Sequence, residues 1–185
     1  MAGIRGACRG IYMFTEKLCR HWLDRDTYIC NGKTKVTFFE YVYIKQAPDI
    51  HRTVRDLANV TRSLVFIGTG IHDNFRAAET EEKILRPMLE QLANLTYPRV
   101  LWAATHAPGL LKTPRIPEQS YESVQRYNAE IARFLRARHV PVFDTFNMTD
   151  GVMSFDGAHY GLGVNKVKVE VLWAYLLELY LQHLW

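Results

Sequence analysis

Residues 63–68 read Ser63-Leu64-Val65-Phe66-Ile67-Gly68, four consecutive apolar side chains closed by a glycine. A strand with one wet face alternates polar with apolar residues, whereas a short unbroken run is the pattern of a strand covered on both faces. Two similar runs follow, at 99–105 after Pro98 and at 140–145. Between them, 79–95 carries Ile84, Leu85, Met88, Leu89 and Leu92 at helical spacing, and 118–138 follows a loop holding Pro108, Pro114 and Pro117. A last helix is expected from about 163. Upstream of 63–68, Ile50, Val54, Leu57 and Ala58 mark a helix after Pro48. Ahead of that, 27–30 and 34–44 flank Asn31-Gly32, a strong hairpin signal, and the second of these is expected to be a strand of the sheet. Ile11, Phe14, Leu18 and Trp22 predict a first helix over 10–24 with no strand ahead of it. Strand alternating with helix predicts an α/β fold, a mainly parallel sheet with helices on both faces. Ligands in such folds bind at the carboxyl ends of the strands. The segments at that edge are 69–76, 106–114 and 147–160.

The chain has 185 residues, 48% hydrophobic, which is enough apolar mass for one core and predicts a single domain over 1–185. The net charge of +4 comes from basic residues scattered among acidic ones, which argues against a nucleic-acid partner. No apolar stretch approaches the roughly 20 residues of a spanning helix. Arg5, Arg9, Glu16 and Lys17 also interrupt the amino-terminal segment, so neither a signal-peptide core nor membrane contact is expected from it. Cys8, Cys19 and Cys30 are an odd number and are expected as buried thiols. Three sequons, at Asn59, Asn94 and Asn147, point instead toward the lumen of the secretory pathway or the extracellular space. No Cys or His cluster has metal-ligand spacing and no Gly-rich phosphate loop opens a helix, so neither a metal nor a cofactor is expected.

The chemistry-bearing stretch is Ser154-Phe155-Asp156-Gly157-Ala158-His159-Tyr160, a carboxylate three residues ahead of an imidazole, between the last strand and the last helix. An imidazole that takes a proton from a hydroxyl needs a carboxylate to fix its tautomer and to stabilise the imidazolium. The spacing alone is a weak pattern. Its position strengthens it, because Gly70-Ile71-His72-Asp73 falls at the carboxyl end of an earlier strand of the same sheet. His106, after the strand over 99–105, reads either as a rim residue or, with more weight, as structural. Trp102, Phe155 and Tyr160 read as an apolar wall or as core, and Lys112 and Arg115 as solvated charges.

These residues resemble the SGNH, or GDSL-type, hydrolases, and within them the carbohydrate-active branch with PC-esterase-like and NXPE-type domains. Phe143-Asp144-Thr145, then Met148-Thr149, then Asp156-x-x-His159 looks like that branch's terminal block, whose Asp and His complete a triad. Residues 65–73 look like the block that normally reads Gly-x-Asn-Asp, with His72 standing where the oxyanion-donating Asn would be. The resemblance implies a flavodoxin-like three-layer sandwich, His159 as base and Asp156 as its orienter. Gly70, His72 and Asp73 would belong to the oxyanion side of the pocket. His72 reads equally as a solvent-facing or capping histidine, and Asp73 as the residue that orders the turn.

The family's first block, Gly-Asp-Ser at the end of the first strand, has no counterpart. In the register Ala2-Gly3-Ile4-Arg5, Ala2 takes the serine's place, and the expectation is an amino-terminally truncated domain whose first strand is missing. The strand over 34–44 must then pair with 63–68, or both must expose unpaired backbone. Two functions remain. One is an esterase or O-acyltransferase on acyl esters, of carbohydrates or other small acceptors, impaired without its nucleophile. The other is an inactive module of the same fold that binds carbohydrate or protein.

Overall fold

The computed structural model describes residues 26–109, 116–154 and 157–184. The helix expected over 10–24, Cys8, Cys19, the Ala2 register, Lys112, Arg115, Phe155 and Asp156 lie outside the described residues.

The first described element is a hairpin, β1 (Asp26–Ile29) antiparallel to β2 (Thr34–Thr37). Asn31 and Gly32 both take positive φ, as the Asn-Gly signal requires. Cys30 sits in this turn as an exposed free thiol, contrary to the buried reading. A second correction concerns 34–44. Strand β2 stops at Thr37, all four of its residues are exposed, and it pairs with β1 rather than with the main sheet. Beyond it, the Gln46 side-chain carbonyl accepts the N–H groups of Val42 and Tyr43 at 2.9 and 3.0 Å. Backbone donors that a ladder would have used are satisfied by a side chain instead.

A 3₁₀ turn (Ile44–Gln46) leads into helix α1 (Ala47–Asp56), with Pro48 in its first turn, where a missing N–H costs nothing. Strand β3 (Leu64–Ile67) follows, then a 3₁₀ turn (Ile71–Asp73) and two short helices, α2 (Ala77–Thr80) and α3 (Arg86–Leu92), joined through a π-helical stretch (Glu81–Leu85). The sequence pattern predicts one helix here. Pro87 explains the break, because it offers no N–H and its ring presses on the carbonyl four residues back. Strand β4 (Arg99–Ala103), helix α4 (Tyr121–Arg136), strand β5 (Val142–Phe143), a single-turn helix α5 (Phe146–Thr149) and helix α6 (Leu162–Leu181) complete the order. Ser120 caps α4, its hydroxyl accepting the Ser123 N–H at 3.2 Å.

Strands β3, β4 and β5 form a parallel sheet in that order, with Val65 opposite Val100, and Trp102 opposite both Ile67 and Val142. Alternate residues go to opposite faces. On one face Val65, Ile67, Val100, Trp102 and Val142 join the main core. That core takes Ile50 and Val54 from α1, Met88 and Leu92 from α3, and Val124, Tyr127, Ile131 and Leu135 from α4, the i, i+3, i+7 stripe of an amphipathic helix. Ile84, Leu85, Met88 and Leu135 are fully enclosed, each worth about 2 kcal/mol of burial. On the other face Phe143 packs against Phe66 and against Tyr175 of α6, with ring centroids 6.0 and 5.8 Å apart. Helix α6 covers the β5 end of that face, and Leu64 and Phe66 of β3 stay exposed. Among the described residues β3 has a strand neighbour on one side only, and neither pairing alternative is met as stated, because β2 pairs with β1 and not with β3.

Candidate active site

Three loops leave the carboxyl ends of β3, β4 and β5, and buried polar side chains fix each of them. In the first loop, Gly70 adopts a φ of 142°, and a Cβ there would meet the Tyr127 ring at 2.9 Å, so only glycine fits. The Tyr127 hydroxyl donates to the Thr69 carbonyl at 2.9 Å, and burial raises its pKa. The Gln119 amide donates to the Ile71 carbonyl and to Asn74 Oδ1 at 2.9 and 3.2 Å. Asp73 Oδ2 accepts the Ile44 N–H at 2.6 Å, tying the loop to the segment that enters α1.

Asn128 of α4 holds the second loop from both sides. Its Oδ1 accepts the Thr105 N–H at 3.0 Å and its Nδ2 donates to the Thr105 carbonyl at 2.7 Å. Thr149, wholly buried, accepts the Ala107 N–H at 3.0 Å and donates to the Thr145 carbonyl at 2.8 Å, joining the second loop to the third. The Tyr160 hydroxyl lies 2.8 Å from the Ala107 carbonyl and 2.9 Å from that of Thr149, and burial raises its pKa.

The second and third loops also meet directly. The Gly109 N–H donates to the Gly157 carbonyl at 2.9 Å, and a Cβ on Gly109 would overlap the buried Ser154 side chain. His106 Nε2 is 2.6 Å from the Ala158 carbonyl. A carbonyl only accepts, so Nε2 carries the proton; in the neutral ring Nδ1 is then an acceptor, and Lys168 Nζ of α6 stands 3.4 Å from it. Burial lowers the Lys168 pKa, and the His106 ring meets Tyr160 edge-on at 5.0 Å.

Ile71, Thr105, His106, Gly157 and Ala158, one or more from each loop, enclose a cavity of about 20 Å³, the room one water needs. No serine or cysteine is among the described residues that line it. His159, next after Ala158, is exposed. His72, next after Ile71, is exposed on its 3₁₀ turn with the Tyr43 ring edge-on at 5.4 Å. The structure therefore brings the immediate neighbours of His72 and His159 to one cavity, with His106 between them. Gly70 shapes the first loop, Asp73 anchors it, and Asp156 lies outside the described residues. No group of three or more His, Cys, Asp or Glu among the described residues is placed to hold a metal ion, and no described helix is long and apolar enough to cross a membrane.

Trp102 belongs to the core and Tyr160 to the clasp between loops. The periodicity does not mark Gln119 or Lys168 as part of this assembly. Asn128 does leave a signal, as a polar residue inside the apolar stripe Val124, Tyr127, Ile131, Leu135, because a buried amide has to find partners.

No family model matches the chain, and no curated protein does. Among solved structures, the chain is similar to Est24, a carbohydrate acetylesterase from Sinorhizobium meliloti, with 14% sequence identity and a TM-score of 0.49. The similarity covers 68% of this chain and 66% of the esterase, just under two thirds of its length.

Proposed function

We propose that the chain is the greater part of an SGNH-type domain that moves or removes acyl groups on carbohydrate esters, in a flavodoxin-like sandwich whose first strand and Gly-Asp-Ser block are absent from this sequence. The observation that carries the reading is the convergence of three post-strand loops on one cavity, one loop bearing His72 and another bearing His159. In this mechanism a serine hydroxyl attacks the ester carbonyl while His159 takes its proton, and Asp156 holds the imidazole in the tautomer that can accept it. The carbonyl oxygen gains the negative charge, and an N–H of His72 donates to it. Collapse expels the alcohol, which leaves with the proton from His159. Water or a second hydroxyl then takes the acyl group by the reverse sequence.

A non-catalytic binding module is favoured by one observation, the lack of serine and cysteine in the cavity lining among the described residues. Hydrolysis of 4-nitrophenyl acetate and of acetylated xylo-oligosaccharides separates the two. The chain extended upstream along its reading frame is expected to turn over both, and His159→Ala to cost on the order of 10⁴- to 10⁶-fold. The unextended chain is expected to stay at the uncatalysed rate. An extended, folded chain without activity, or activity indifferent to His159→Ala, overturns the enzyme reading. The sequons at Asn59, Asn94 and Asn147 are the ground for proposing a place in the secretory pathway, tested by an endoglycosidase mobility shift after expression in a secretory host.

A further inference from the structure

At the opposite end of the sheet, where the strands begin, lies a groove of about 490 Å³. Leu89 and Leu95 line it from α3 and the loop that follows, and Val140 from the entry to β5. Its size falls within the roughly 300–1,000 Å³ of small-molecule sites, as does the combination of an apolar lining with a few polar groups. Those groups are of one sign apart from Glu90. Arg86, Arg99 and Arg138 all border the groove, with His139 beside them.

The three guanidiniums differ in what already balances them. Arg86 is paired with Glu81. Arg138 has no acid within ion-pair distance among the described residues; its Nη1 donates to the Phe134 carbonyl at 3.0 Å and its guanidinium lies 3.7 Å over the Phe134 ring. Arg99 likewise has no described acid partner. Its guanidinium lies over the Tyr97 ring at 5.6 Å, and its Nε is enclosed without a hydrogen-bond acceptor. An arginine keeps its proton in such a place, so both guanidiniums remain cationic donors with no acid partner among the described residues, suited to pair with an anion in the groove. Aromatic faces hold the two side chains in position before any anion arrives, which lowers the ordering cost of binding.

We propose that this groove binds a small amphipathic oxyanion, a carboxylate, sulfate or phosphate head on an apolar body. Arg99 and Arg138 take the head, and Leu89, Leu95 and Val140 receive the body. The site is separate from the loops at the carboxyl ends of the strands and does not depend on their chemistry.

Isothermal titration of the full chain with phenyl phosphate tests this, with inorganic phosphate and phenol as the head and the body alone. Phenyl phosphate is expected to bind at least about tenfold more tightly than either fragment. Arg138→Gln, an exposed change in the turn after α4, and Arg99→Gln are each expected to weaken it by about tenfold or more. Arg133→Gln, an exposed change on α4 outside the groove, and His159→Ala are expected to leave it unchanged. The proposal is overturned if the wild type gives no binding at millimolar ligand or if inorganic phosphate binds as tightly as phenyl phosphate. It also fails if Arg138→Gln, folded by circular dichroism, keeps wild-type affinity, or if His159→Ala abolishes binding.

Discussion

Asn128 is a polar residue placed where the helix pattern calls for an apolar one, and its two bonds to Thr105 set the height of the loop after β4. Alanine there leaves the half-buried N–H and C=O of Thr105 without their side-chain partner and is expected to cost about 2 kcal/mol in urea denaturation. Lys168 gives a second residue-scale expectation, this one in pH. Burial lowers its pKa below the ordinary 10.5, so the unfolded chain holds this proton more tightly than the folded one. The penalty is complete below the folded-state value. Between the lowered folded value and 10.5 the unfolded state binds more protons, and stability rises with pH. Thermal melts across that alkaline window are expected to show the rise in the wild type and to lose it in Lys168→Met.

Helix α6 is apolar on more than one side. Val167, Val171, Trp173, Leu177, Tyr180 and Leu181 are exposed, Leu179 is the one fully buried side chain, and Tyr175 reaches Phe143. A helix of this composition ordinarily lies wholly within a protein interior. Leu64 and Phe66 of β3 are exposed on the same face of the sheet as Phe143, beside a strand edge that has no neighbour among the described residues. Exposed apolar area next to an unpaired edge favours aggregation. Phe66→Lys together with Leu177→Lys is therefore expected to raise the concentration at which light scattering first appears. An unchanged onset would mean that these side chains do not govern solubility. Because β3 has a strand neighbour on one side only among the described residues and is partly uncovered on one face, its amides are expected to exchange faster than those of β4, where Leu101 and Trp102 are both enclosed.

The molecule rests on one core between the sheet and helices α1, α3 and α4, and Leu135, with no exposed surface, lies in its middle. Leu135→Ala is expected to cost 2–5 kcal/mol by chemical denaturation, a loss that reaches both ends of the sheet because α4 supplies Asn128 to one and the turn that follows it supplies Arg138 to the other. The parallel sheet was legible in the sequence, since unbroken apolar runs at 63–68 and 99–105 alternate with helical stripes, but the reading of 63–68 as covered on both faces was not met, because Leu64 and Phe66 stay exposed on one of them. The hairpin was legible too, because Asn31 and Gly32 tolerate the positive φ it needs. The end of β2 was not, because a glutamine side chain nine residues past Thr37 competes for the backbone donors that follow it. Nor was the fastening of the loops, apart from the signal that Asn128 leaves inside an apolar stripe. Local pattern determines which residues can form a strand, a turn or a buried stripe, and it also named the segments that carry His72 and His159. Only the tertiary structure decided that Ile71, His106 and Ala158 close on one cavity, and that Arg99 and Arg138 share a groove at the far end. Those meetings join residues tens of positions apart, and the hydrogen bonds and packing that hold them leave no trace in local spacing.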